Sequence, residues 1–135
     1  MDNYPEIKLK AEKDEAKAKE GKQNIWSTKK SSRSEIKSLV QGLCDDNGLA
    51  RRSYAEALAK EGREALPELI NALLNSKNVI QRRAAAKTLK LVKDPTALPH
   101  LIKALTNDPD SVVQFSAAGA IAIFGEAAVN HLIIV

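Results

Sequence analysis

Apolar residues recur along the chain at the spacing of one buried helical face. Ile36, Leu39, Val40 and Leu43 stand at i, i+3, i+4 and i+7. So do Leu66, Leu69, Ile70 and Leu73, and again Leu98, Leu101, Ile102 and Leu105. A 3.6-residue turn puts those positions on one side, so each stretch predicts an amphipathic helix. The stretches share a frame. Pro67 aligns with Pro99, and 31 residues after Leu98, Leu101 and Ile102 come Val129, Leu132 and Ile133. An earlier helix precedes each of the last three: segments 50–58, 81–89 and 113–121 align on their Ala pairs and closing Leu or Ile. Two helices, A then B, in each period of 31–32 residues predict a right-handed α-solenoid.

The punctuation fits that unit. Pro67 and Pro99 suit the first turn of helix B, where an N–H has no helical partner. Ser32-Arg33-Ser34-Glu35 reads as a capping box opening the first B-type helix. Asp94-Pro95 and Asp108-Pro109 each read as a capping Asp followed by a first-turn Pro. Gly62 and Gly125 are expected to end helix A in the first and third copies. The pairs Ala85-Ala86 and Ala117-Ala118 allow close approach of neighbouring A helices. The expected fold is all-α, a solenoid of helix pairs over 32–135 preceded by a charged N-terminal arm over 1–31.

Composition narrows the class. Of 135 residues, 44% are apolar but only 4% aromatic, which suits a core of Ala, Leu, Ile and Val in close-packed helices. A single cysteine, Cys44, excludes an internal disulfide and fits a reducing compartment. No run of about 18 apolar residues is present, and the N-terminal stretch lacks a signal-peptide core, so a cytoplasmic setting is expected. Net charge is +4, and most of the excess lies in the arm: residues 1–33 hold nine Lys/Arg against six Asp/Glu, and residues 34–135 twelve against eleven. A nearly neutral body without interleaved aromatics argues against nucleic-acid binding. The Lys/Glu/Ala-rich arm reads as mobile or marginally helical. Ile25 and Trp26 end it, with Trp26 read as a cap on the first helix pair or as a docking anchor. The apolar stretch "VNHLIIV" reads as the interior of a helix B, which predicts further repeats beyond it.

The segment 82–121 closely resembles the HEAT-like repeat named after the phycobilisome lyases. Arg82-Arg83, the Ala run, Leu89, Asp94-Pro95, Ala97-Leu98-Pro99, Leu101-Ile102, Ala104-Leu105 and Asp108-Pro109 carry the resemblance, which extends over residues 34–135. The chain departs from the pattern at Phe115, where the other copies carry Arg, at Asn130, where they carry Pro, and at Gln81, a position usually apolar. The resemblance implies one of two functions. Some such proteins act as lyases or isomerases that attach an open-chain bilin to a cysteine of a phycobiliprotein, or detach it. Others are protein-binding scaffolds without chemistry.

Helix B lines the concave face in such solenoids. The positions beside its apolar stripe are Ser38, Glu68, His100 and His131, then Gln41, Asn71 and Lys103, a polar ladder suited to a protein partner or to bilin propionates. Lys103 and His100 are its anion-facing members. Arg51, Arg52, Arg82, Arg83, Lys87 and Lys90 are expected on the convex A helices, either facing an acidic partner or a phosphate backbone or as a solvated face whose repeat Arg residues link neighbouring units. His100 and His131 lack carboxylate company, and Leu follows each, so the His-Glu dipeptides that hold iron in the HEAT-like deoxyhypusine hydroxylases are absent; no metal site is expected. Cys44 reads as a half-buried small residue rather than a bilin carrier. No nucleophile elbow, phosphate loop or dinucleotide motif occurs, so no catalytic residue is assignable. The expectation is a scaffold that positions an open-chain bilin, as substrate, against phycobiliprotein subunits, with a bilin-independent adaptor as the alternative.

Overall fold

A computed structural model describes the backbone of residues 31–134 and the side chains of residues 31–126. The arm up to residue 30, with Trp26, and the side chain of His131 lie outside the described residues. Regular structure among the described residues is entirely helical. Helix α1 (Arg33–Gly42) is a B-type helix with no A helix ahead of it among the described residues. Helices α2 (Gly48–Glu61) and α3 (Leu66–Asn75) form the first repeat, and α4 (Val79–Val92) and α5 (Leu98–Asn107) the second. Helix α6 (Ser111–Ile134) follows.

The A helices α2, α4 and α6 pack side by side, and the B helices α1, α3 and α5 form a second row against them. The core between the rows holds Leu58, Leu69, Leu73, Leu89 and Leu101, all fully buried. Each contributes roughly 1.5–3 kcal/mol relative to an exposed side chain. Small residues set the spacing. Ala85, Ala86 and Ala117 are fully buried on the A row, as their pairing predicts. At the first B–A contact the sizes are redistributed: a Cβ on Gly42 would stand 2.5–2.6 Å from ring atoms of Tyr54. In the next layers the corresponding positions are Ala72 with Ala85 and Ala104 with Ala117, all buried.

The capping box at α1 forms in both directions: Glu35 N–H donates to Ser32 Oγ (3.2 Å) and Ser32 N–H donates to Glu35 Oε1 (2.6 Å). Within each repeat a short 3-10 turn, Gly62–Ala65 or Pro95–Ala97, joins A to B, with Pro67 and Pro99 in the first turn of the next helix. Helix α2 ends at Gly62 with φ 63°, and α4 ends at Lys93 with φ 60° and ψ 35°. The left-handed conformation costs a side-chain-bearing residue energy that glycine does not spend.

Two expectations about punctuation are corrected. Gly125 does not end a helix, because α6 continues unbroken to Ile134. Proline removes a helical hydrogen bond and clashes with the preceding turn, which enforces the break ahead of Pro67 and Pro99; Asn130 at the corresponding position imposes no such break. The backbone of His131 therefore lies on α6 and not on a separate helix B. Nor does Asp108 cap α6 with Pro109 at its first position. Asp108 follows α5, and Asp110 caps α6, accepting from Val113 N–H at 2.9 Å. Asp94 behaves as expected, accepting from Thr96 N–H at 2.9 Å ahead of Pro95–Ala97.

Gln81 shows why a polar residue is tolerated at an inward position. It is buried on α4, and its Nε2 donates to Val40 O of α1 at 2.9 Å. The buried amide is satisfied by a carbonyl at a helix end, where partners are otherwise scarce.

Candidate functional site

The B row places the ladder residues on three adjacent helices. Ser38 and Gln41 on α1, Asn71 on α3 and Lys103 on α5 are exposed, whereas Glu68 and His100 are half-buried. Among the described residues no hydrogen bond joins one rung to the next. Asn71 Oδ1 accepts from Asn75 Nδ2 (2.8 Å) within its own helix. Glu68 takes a structural partner instead, accepting from Arg33 Nε at 3.3 Å. Arg63, at the repeat position of Arg33, pairs instead with Asp94 of the next A–B turn, at 3.0 Å. Asp94 is held below the usual carboxylate range, first by Thr96 N–H, then by the Thr96 hydroxyl and Arg63.

The opposite edge, where B runs into the next A, uses one turn three times. In Asp45-Asp46-Asn47, Ser76-Lys77-Asn78 and Asp108-Pro109-Asp110, the first side chain accepts from the third residue's N–H (2.8, 3.1 and 2.9 Å). The third residue then caps the following A helix. Four residues later a long polar side chain donates back to the first residue's carbonyl: Arg51 to Asp45 O (2.6 Å), Arg82 to Ser76 O (3.0 Å) and Gln114 to Asp108 O (2.6 Å). These turns were missed in the sequence. The signal was present as Asp/Ser-x-Asn/Asp recurring in the repeat frame.

Arg82 and Arg83 thus do link units, one of the two roles open to them. Arg82 also donates to both oxygens of Asp108 (2.9 and 3.4 Å), with side-chain exposures of only 15% and 7%. Arg83 grips Asp110 through two contacts, 2.9 and 2.8 Å. That pair holds the Asp110 carboxyl far below its ordinary range, against partial desolvation and with help from Val113 N–H.

Arg82 further lines a cleft of about 280 Å³ between the C-terminal halves of α3 and α5. Leu73 and Ala104 form its buried floor, and Leu74 and Pro109 are apolar walls. Ser76, Asn107, Lys103 and Asp108 supply its remaining polar lining. Of the described ladder residues only Lys103 lines this cleft; His100 does not.

Cys44 is half-buried beyond the end of α1, with Gln41 Nε2 3.7 Å from its Sγ. Burial pushes its thiol above the ordinary range, which reduces the thiolate available for nucleophilic attack. Among the described residues no group of three His, Cys, Asp or Glu side chains could hold a metal, and no helix is long and apolar enough to cross a membrane.

Comparison with known proteins agrees with this architecture. Bilin biosynthesis protein MpeU of Synechococcus sp. (strain WH8020) is 44% identical over 62 residues, covering 46% of this chain. The match spans only 21% of that relative's length. It accords with the resemblance to repeats of the phycobilisome-lyase type. No solved structure matched significantly. The HEAT-repeat family profile matches residues 35–132, which takes in the capped first helix, both helix pairs and nearly all of α6; the chain belongs to the HEAT-repeat family.

Proposed function

We propose that the chain is a bilin-handling scaffold, recognising an open-chain bilin and a phycobiliprotein subunit through its row of B helices. The observation that carries this reading is the 44% identity to a bilin biosynthesis protein. The geometry suits it. Exposed polar side chains on three parallel rungs, Ser38 and Gln41, Asn71, and Lys103, leave donors and acceptors for a partner surface. HEAT solenoids commonly present such extended surfaces to proteins.

The mechanism on this reading is positioning. Holding a chromophore and an acceptor thiol together turns a bimolecular encounter into an effectively unimolecular one. The reacting thiol belongs to the phycobiliprotein, which agrees with the raised, half-buried state of Cys44.

The test is size-exclusion chromatography of the chain with apo-phycobiliprotein subunits and free bilin, followed by visible absorbance. Co-elution with a shifted bilin band is expected. Separate elution of all components, with an unchanged bilin spectrum, would replace this reading with that of an adaptor for an unrelated protein.

A further inference from the structure

The cleft between α3 and α5 combines two features that one ligand chemistry can satisfy together. Its floor and walls are apolar: Leu73, Leu74, Ala104 and Pro109. Its charges do not cancel. Arg82 and Asp108 neutralise each other across two contacts, and among the described residues Lys103 remains as an exposed cation in no ion pair.

We propose that this cleft seats one pyrrole ring of an open-chain tetrapyrrole, with its carboxylate arm on Lys103. A flat ring with apolar faces and an alkanoate arm matches the apolar floor and walls and the lysine in turn. Volume sets the stoichiometry of contact. The 280 Å³ lies just below the roughly 300–1,000 Å³ of sites that enclose a drug-sized ligand, so the cleft takes one end of a tetrapyrrole and leaves the rest outside. The exposed end is then free to meet an acceptor protein. This inference rests on the bilin reading above and narrows it to a subsite. It also separates Lys103 from His100, which the sequence places together as anion-facing residues.

The experiment titrates the full chain with biliverdin, an open-chain tetrapyrrole dicarboxylate, and with its dimethyl ester, reading the visible band. Lys103→Met is compared with Lys87→Met, an exposed lysine on α4. Lys103→Met is expected to weaken biliverdin binding about fivefold, the scale of one exposed charge pair. The ester should bind the unaltered chain about as weakly, and it should lose nothing further on Lys103→Met. Lys87→Met should leave both affinities unchanged. Biliverdin binding that ignores both Lys103→Met and esterification overturns the subsite and leaves the bilin reading intact. Absence of biliverdin binding overturns the subsite too, and the co-elution experiment then decides whether the protein-binding half of the wider reading survives.

Discussion

The two complete repeats, α2–α3 and α4–α5, share a backbone plan and differ in how each is tied to the unit that follows. Both end in the same three-residue turn, with the same side-chain oxygen on the same N–H. After the first repeat the turn is Ser76-Lys77-Asn78, and no acid awaits Arg51 or Arg52. Among the described residues the Arg51 side chain bonds to Asp45 O behind it, and Arg52 turns to Glu56 one helical turn along its own helix, at 3.2 Å. After the second repeat the turn is Asp108-Pro109-Asp110, and Arg82 and Arg83 both reach forward. A neutral turn is therefore sufficient to reverse the chain. The aspartates add a linkage to a geometry that exists without them.

The sharpest way to break this comparison is Arg82→Ala. It strands a nearly buried carboxylate and removes the bond to Ser76 O, and it is expected to cost about 2–3 kcal/mol in urea unfolding. Arg51→Ala, the same position one repeat earlier, should cost less than about 1 kcal/mol. Equal costs would mean that Asp108 does not distinguish the repeats.

Next in size is Gly42→Ala. The added Cβ meets the Tyr54 ring, and overpacking of this kind costs about 2 kcal/mol. In a Tyr54→Ala background, which recreates the Ala pairing of the later layers, the same change should be nearly neutral. A double-mutant cycle measures the difference, and an unchanged cost in that background would absolve the tyrosine.

Lys93→Gly should act in the opposite direction. The second repeat ends helix A with a left-handed lysine where the first uses Gly62, so glycine should stabilise by about 1 kcal/mol and raise Tm. A fall in Tm would assign Lys93 a contact outweighing its backbone cost.

The last comparison is read in acid and concerns Asp110. Its folded carboxyl titrates well below the unfolded one, so its stabilisation is complete above about pH 5 and is lost as pH falls through 4 and below. Asp110→Asn should flatten that acid limb, making the second turn resemble Ser76-Lys77-Asn78. An acid limb as steep as the parent's would place the titration elsewhere.

The repeat frame was legible because it is written in residues with one dominant physical role. Leu69 and Leu101 must be inside, and Pro67 and Pro99 must begin a helix. Residues with several roles were not. Asp94-Pro95 and Asp108-Pro109 are the same dipeptide, yet only the first opens a helical turn. The second belongs to a turn whose cap lies two residues later, and side-chain type alone does not say which N–H an aspartate will reach. Gly125 has the same ambiguity, since a helix ends there only if the following sequence forces it. Of the ladder, Ser38, Gln41, Asn71 and Lys103 were legible as exposed positions, whereas Glu68 and His100 are half-buried. The cleft was not, because Lys103 acquires its neighbours Leu74 and Arg82 only when two repeats stack.

The buried Gln81 amide has a consequence for how the array comes apart. Repeat proteins behave to first order as a row of units coupled to immediate neighbours, so an end unit can fray alone. The Gln81–Val40 bond reaches from the second repeat over the first to α1. If α1 lifts away, an amide two units inward loses its acceptor, so the free energy of fraying at this end includes a penalty from the interior. Amide hydrogen exchange would register that as protection at the end of α1 closer to that of α4 than its place at the edge of the described helices predicts.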